Sequence, residues 1–381
     1  MQQENDELKK PELQKVNYKG IIYLLSLIMV IGIVVLYSSS YIIYYKYPEM
    51  DFDYYLIRQM INIIIGLVFM FIIALIPFQK HMQMAPFYMV GVVFLLLAVF
   101  IFPAQGGSSR WIDFGVMNLQ PSEMAKIVLI LFLASYFFRD NENRQNGILE
   151  QLMIPLGWII MITLLIAVEP DLSSSMIVFL IGLIVLYISG LKFSYFVFIM
   201  IMCIIGVVML FQLDLLKPYQ MERIQSFLGL SQEITSEGQV DVSLQAISSG
   251  GLLGEGLGMG NYKYIIPVQF TDFIFAILGE ELGFVGMAIF LFLYYFMCRN
   301  LIKAAINGIY NNAAKVFIVA FAYLIMLQVV INVGVVFGLL PPTGVTLPFV
   351  SYGGSSMMAF LGGFGFFLSA LNESPKDNYA K

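Results

Sequence analysis

Histidine is almost missing from this chain: among 381 residues only His81 carries an imidazole. A lone histidine leaves no material for a His-rich metal centre and argues against chemistry through a histidine base. Cysteine is nearly as scarce. Cys203 and Cys298 both lie in apolar stretches without metal-ligand spacing, so they read as buried thiols. Charge is thin as well, at 12% of residues against 60% hydrophobic, whereas soluble domains are about a quarter charged. The net charge of −5 comes with no basic cluster, which excludes a nucleic-acid partner. What remains is an integral membrane protein. The polar first nineteen residues lead into an apolar run too long for a signal-peptide core, so no cleavable leader is expected.

Apolar runs of membrane length fall at about residues 20–42, 56–77, 84–103, 121–138, 150–168, 172–190, 193–213, 272–297, 313–338 and 353–371. The expected fold is an all-α polytopic bundle of ten spans, which puts both termini on one side. With the N-terminus inside, the inner segments carry Lys9, Lys10, Lys15, Lys19, Lys80, Arg139, Arg144, Lys192, Arg299, Lys303, Lys315, Lys376 and Lys381, thirteen of the twenty Lys and Arg. That bias favours N-in, C-in. The expected layout is a cytoplasmic segment 1–19, one membrane domain 20–371 and a cytoplasmic tail 372–381. A long extracytoplasmic loop, 214–271, joins the seventh and eighth spans. No solenoid repeat or low-complexity tail divides the chain.

The acids then gather on the outer side: Asp113, Glu123, Glu169, Asp171, Glu255 and Asp272. Asp272 stands where the polar loop runs into an apolar helix, and Ala276, Gly279, Gly283 and Gly286 share its helical face. A carboxylate in a bilayer span costs about 2.5–3.5 kcal/mol, so such a residue is expected to line a protein cavity. Pro121 suits the first turn of a helix, on which Glu123 and Lys126 can pair at i,i+3. The bland account of Arg110-Trp111 is an interfacial anchor. With Lys126 it makes two basic side chains at the membrane edge, for which function is the better reading. In Glu169-Pro-Asp171, Asp171 suits a helix cap, whereas Glu169 has no such role and remains a cavity candidate. The glycine-rich stretch 250–260 lacks the Gly-Lys-Ser/Thr ending of a phosphate loop and reads as a mobile lid, from which Lys263 could reach an anion. Breakers around Pro341-Pro342 and Gly353-Gly354 interrupt an apolar region, and Ser355 and Ser356 read as cavity lining.

Taken in order, these segments resemble the SEDS family (shape, elongation, division and sporulation) of polytopic peptidoglycan polymerases. The resemblance rests on Arg110-Trp111 with Gln120-Pro-Ser-Glu-Met-Ala-Lys126, Glu169-Pro-Asp-Leu172, Gly250-Gly-Leu-Leu-Gly-Glu-Gly-Leu-Gly258, Thr271-Asp272 through Gly283, and Leu347 through Ser356. Lys263, residues 247–253 and residues 343–348 look more like the division branch (FtsW) than the elongation branch (RodA), and the sporulation members share them. The chain departs from the pattern at Val268 and Phe270, where Glu and His are usual, and at Ser173, where Gly is usual.

The resemblance implies that the substrate is lipid II, a disaccharide-pentapeptide on undecaprenyl pyrophosphate. It implies polymerisation with Asp272 as general base on the acceptor hydroxyl. Arg110, Lys126 and Lys263 are expected to hold pyrophosphate, Glu123 and Glu169 to orient those cations, and Trp111, Ser355 and Ser356 to line the substrate cavity. No metal site is spelled out, although a divalent cation, magnesium or manganese, could assist the leaving group. The implied partners are membrane lipids, a class B penicillin-binding transpeptidase and other division proteins, in the bacterial plasma membrane at the septum. The competing classes are a lipid II flippase, which would need no base, and a non-catalytic scaffold. The lack of an inverted repeat and the one-sided clustering of acids favour the polymerase over the flippase.

Overall fold

The computed structural model describes residues 18–46, 54–102, 110–113, 118–138, 149–201, 237–266, 270–309 and 311–373. Three long apolar helices come first: α1 (Tyr18–Lys46), α2 (Tyr54–Leu75) and α3 (Phe78–Ala98), which tightens into a 3₁₀ turn at Val99–Ile101. A two-stranded antiparallel hairpin follows, with β1 (Ile112–Asp113) against β2 (Asn118–Leu119). It delivers the chain into α4 (Pro121–Phe138), with Pro121 in the first turn as expected. Next come a π-helical turn at Leu149–Met153, α5 (Ile154–Val168) and α6 (Leu172–Ile188). Asp171 caps α6 by accepting from the Ser174 amide at 3.1 Å. Beyond residues 202–236, which lie outside the described residues, stand α7 (Glu237–Gly250), α8 (Ile274–Gly308), α9 (Asn312–Val336) and α10 (Gly354–Asn372).

Eight helices among the described residues are long and apolar enough to cross a membrane: α1 to α4, α5 together with the π-helical turn before it (Glu150–Val168), α8, α9 and α10. The chain is thus a multi-pass membrane protein. Of the ten expected spans, 172–190 is α6, an apolar helix of 17 residues that falls short of that length. The expected span 193–213 is helical over 193–201, and its remainder lies outside the described residues. The third span begins at Phe78 rather than 84, because Pro77 starts a helix whose polar first turns hid it from a hydropathy reading. The eighth runs on to Gly308, well past the expected 297. The stretch 214–271 is no plain loop either, since it contains α7.

Helices α4, α9 and α10 are the most buried, while α2, α3 and α5 turn most of their surface outward. Helix α10 packs hardest on α2, and small residues permit the approach. Its C-terminal end is tied down separately. Ser369 donates to the Ile76 carbonyl at 2.5 Å, and the Gln79 amide donates to the Glu373 carboxylate at 2.6 Å. His81 is buried, bonded to the Ile73 carbonyl at 3.0 Å and edge-on to Phe366. Its role is packing. Cys298 is a buried free thiol, and Cys203 lies outside the described residues.

Helix α8 is broken at Gly283, where φ is 66° and ψ −170°. The break would orphan backbone groups at membrane depth, a loss of several kcal/mol each unless partners are found. The segment after α7 supplies them. The Glu255 and Gly256 amides donate to the Glu280 and Glu281 carbonyls at 2.9 and 3.1 Å. In return the Phe284 and Val285 amides donate to the Gly251 and Leu252 carbonyls at 2.9 and 3.1 Å. The glycine-rich stretch, expected as a mobile lid, is therefore stitched onto a helix by four main-chain bonds.

Gly254 sits in this seam at φ 83°, and a methyl group there would lie 2.1 Å from the Glu281 carbonyl oxygen. We predict that Gly254→Ala lowers the apparent melting temperature in detergent, with left-handed backbone alone costing about 1–2 kcal/mol. Gly91→Ala, where a methyl meets nothing within 4 Å, should leave it unchanged or slightly raised.

Candidate active site

A cavity of about 380 Å³ opens where α2, α4, α6, the hairpin and the segment 343–356 converge. Its lining brings together Asp272, Arg110, Trp111, Glu123, Lys126, Ser355 and Ser356 from the expected site. Two expected residues are not in it. Lys263 is fully buried elsewhere, 3.2 Å from the Glu281 carboxylate, with its ammonium also donating to Gly258 at 2.7 Å and Ser38 at 3.2 Å. It pins the glycine-rich segment to α1 and α8. The reach toward an anion, inferred from sequence, did not reckon with a buried partner eighteen residues away. Glu169 lies behind the cavity wall, completely buried.

Asp272 is placed by backbone rather than by helix. The three carbonyls of residues 270–272 each accept a bond from distant chain. The Tyr352 amide donates to Phe270 at 2.8 Å, the Ser351 hydroxyl to Thr271 at 2.5 Å, and the Asn332 side-chain amide to Asp272 at 2.8 Å. Asn332 also donates to the Val345 carbonyl at 2.8 Å, so one buried side chain joins the Asp272 turn to the segment opposite. Gly344, at φ 72°, brings bare backbone next to the Asp272 carboxylate, where even a methyl group would reach 3.5 Å from an oxygen. Phe270, in place of the usual histidine, packs against Tyr55 with centroids 4.6 Å apart. Val268 is outside the described residues.

The cations stand on two walls. On one, α4 carries Lys126, whose ammonium sits 2.7 Å from Glu123 with both side chains nearly buried. Arg110 leans over the turn between α5 and α6 and donates to the Glu169 and Pro170 carbonyls. On the other wall α2 contributes Arg58, 4.6 Å over the Tyr54 ring, and Asn62. Arg58 also lowers the hydroxyl pKa of Tyr352, although burial outweighs it and the net shift is upward. Ser355 bridges the walls, donating to the Asn118 carbonyl at 2.6 Å and accepting from the Gln120 amide at 2.7 Å. Ser356 pairs with Thr346 at 3.1 Å, and Gln120 reaches Asp171 at 3.0 Å. Ser173, where glycine is usual, donates to the Thr343 carbonyl at 2.6 Å and so helps hold the roof.

Sequence reasoning passed over Arg58, Asn62, Gln120 and Asn332. Arg58 had a signal, because an arginine inside an apolar span defaults to function, but it was counted only toward orientation. Asn332 had a weaker one, a polar amide in the middle of a long apolar helix.

A polytopic helical membrane protein that gathers Asp272, Glu123, Arg58, Arg110 and Lys126 around one cavity has the form of a membrane enzyme or carrier. The comparisons name the family. The chain matches the family model of the FtsW, RodA and SpoVE cell cycle proteins over residues 18–376, and it belongs to that family. It is 34% identical over 351 residues to stage V sporulation protein E of Bacillus subtilis, covering 90% of this chain and 93% of that protein. It is 35% identical over 316 residues to the peptidoglycan glycosyltransferase MrdB of Escherichia coli, covering 82% and 84%. Among solved structures, a chain from a peptidoglycan synthase complex coordinating polymerization and crosslinking superposes with a TM-score of 0.78. It is 26% identical, covering 95% of this chain and 98% of that one. The rod shape determining protein RodA of Thermus thermophilus gives 0.67, also at 26% identity, covering 97% and 100%.

Glu169 has a measurable signature. Neither of its carboxylate oxygens has a hydrogen-bond partner, and burial first, then the nearby Asp171 charge, push its pKa from 4.5 to about 8 against the opposing pull of Arg110. The folded chain therefore holds a proton that the unfolded chain releases, so stability is fullest below about pH 4.5 and falls as pH rises to about 8. The apparent melting temperature of wild type should decline across that window. Glu169→Gln, which never ionises, should flatten the decline and be the more stable protein at its alkaline end.

Proposed function

We propose that this chain is a peptidoglycan glycosyltransferase that polymerises lipid II into β-1,4 glycan strands at the outer face of the bacterial plasma membrane. The observation that carries the reading is a carboxylate, Asp272, held by three backbone clamps at the edge of a cavity that also presents Arg58, Arg110 and Lys126. Relatives that bear the name peptidoglycan glycosyltransferase add support. Asp272 removes the proton from the 4-hydroxyl of the acceptor N-acetylglucosamine. That oxygen attacks the anomeric carbon of the donor N-acetylmuramic acid. The carbon–oxygen bond to pyrophosphate breaks, and the electron pair leaves on undecaprenyl pyrophosphate. One displacement inverts the α-linked donor to a β-linkage, so no covalent enzyme intermediate is required, by the logic that governs inverting glycosidases.

Arg110 and Arg58 stabilise the charge that grows on the leaving group. Lys126 is partly neutralised by Glu123, which fixes its position. Glu169, neutral when protonated, leaves the Arg110 guanidinium uncommitted to a carboxylate. A divalent cation, magnesium or manganese, would add positive charge at the pyrophosphate. The described residues offer it no group of three or more His, Cys, Asp or Glu side chains, so any such ion would be held mainly by the substrate.

The membrane arrangement in this reading is ten spans, N-in and C-in, with residues 214–271 outside. The partner is a class B penicillin-binding transpeptidase that crosslinks the emerging glycan, a reading favoured by the likeness to a synthase-complex chain. The division branch, and with it a septal location, rests on residues 247–253 and 343–348.

The test is glycan synthesis from labelled lipid II by the purified protein together with its cognate transpeptidase. Asp272→Asn should keep its fold and its partner while losing roughly 10²–10⁴-fold in rate, the usual worth of a general base. Normal polymerisation by that variant would make Asp272 structural. Transport of lipid II by a wild type that makes no glycan would instead select the flippase. Arg58→Ala and Arg110→Ala should each cut the rate with the protein still folded. A fully active Arg58 variant would remove the α2 wall from the mechanism.

A further inference from the structure

We infer that residues 251–266 form a shallow membrane-inserted segment whose side chains contact the lipids of the outer leaflet. The inference goes beyond the reaction and does not depend on it. A loop in water turns polar side chains outward, and this one does the reverse. Leu252, Leu253 and Met259 are 71%, 80% and 70% exposed, and Leu257 and Ile265 are more than half exposed. The segment holds only two charges. One of them, Lys263, is buried against Glu281.

The polar backbone, meanwhile, faces inward. The Glu255 and Gly256 amides are taken by α8 carbonyls, and the Asn261 and Tyr262 amides by the Glu280 carboxylate, the latter at 2.7 Å. The Tyr264, Ile265 and Ile266 amides close on Asn261 and Tyr262. Irregular backbone at membrane depth survives only with its donors and acceptors satisfied by protein, and most of this segment's amides have such a partner.

Depth follows from the seam with α8. The unbroken part of α8, residues 284–308, runs about 38 Å at 1.5 Å per residue and by itself spans a hydrocarbon core of about 30 Å, so the turns before the break at Gly283 stand at the outer interface. Below them Phe284, Val285, Ile289 and Phe292 make an exposed apolar stripe facing lipid. The bonds to Phe284 and Val285 set Leu252 and Leu253 beside the top of that stripe and extend it sideways. Glu255, the one exposed charge of the segment, is bonded at Glu280, a helical turn nearer the start of α8. Apolar side chains thus lie level with the stripe, and the carboxylate lies at the height of the headgroups. That ordering fits a bilayer better than a protein partner.

The experiment places an environment-sensitive nitrobenzoxadiazole label on Leu253→Cys and, separately, on Met259→Cys. The full chain is used with Cys203 and Cys298 replaced by alanine, in nanodiscs whose lipids carry nitroxide on the acyl chain. A label on Asp241→Cys, on the exposed face of α7, serves as the aqueous reference. Lipid nitroxide should quench the Leu253 and Met259 labels severalfold more than the reference, and aqueous iodide should show the opposite order. Iodide quenching equal to that of the reference would overturn the inference. Lipid quenching no greater than that of the reference would overturn it too.

Discussion

Every main-chain donor and acceptor at membrane depth needs a partner inside the protein, and the rest of this structure follows from that constraint. A bundle of unbroken helices would meet it trivially and would hold no cavity. Here the chain departs from helix at residues 270–273, at Gly283 and through 337–353, and each departure is answered by groups far away in sequence. The break at Gly283 accepts the segment after α7. The turn at 270–272 accepts Tyr352, Ser351 and Asn332. The irregular backbone that surrounds Asp272 is thereby as fixed as a helix would be, and a carboxylate can stand at the rim of a polar space without being exposed to lipid.

Electrostatics divides the cavity rather than filling it with one sign. Lys126 and Glu123 cancel to a large extent, whereas Arg58 and Arg110 are held by an aromatic face and by carbonyls, partners that leave the positive charge intact. Both arginines are partly buried, so each interacts with an arriving anion more strongly than a fully exposed cation would. The buried acid behind Arg110 fits the same arrangement so long as it stays protonated.

Much of this was legible in the chain itself. Hydropathy placed most of the long helices to within a few residues, α3 and α8 excepted, and α4 coincided with its expected bounds because Pro121 marks the start. Asp272, Arg110, Lys126, Ser355 and Ser356 could be marked because charged or hydroxyl groups at span ends break an apolar background. What could not be read depends on long-range pairing. Lys263 looked available until Glu281 and Ser38 closed around it. The glycines of 250–260 looked mobile because flexibility and close backbone approach are written with the same residue. Phe78 to Gln83 looked like loop because a first turn of a helix can be polar when it sits at the membrane surface. Asn332 could not be distinguished from any polar residue in a span until its two carbonyl partners were known.

Both ends of α10 are pinned. At its N-terminal end Gly353 and Ser355 are bonded to α2 through Gln59 and to the hairpin before α4, so the spacing of the two cation-bearing walls is indexed to a single helix terminus. At its C-terminal end Ser369 and Glu373 grip the turn between α2 and α3. Between these attachments the helix is among the most buried in the molecule, in an interior dense enough to transmit strain rather than absorb it. It is in mechanical terms a strut across the bilayer. One rigid element thus ties the cavity at one of its ends to the turn between α2 and α3 at the other.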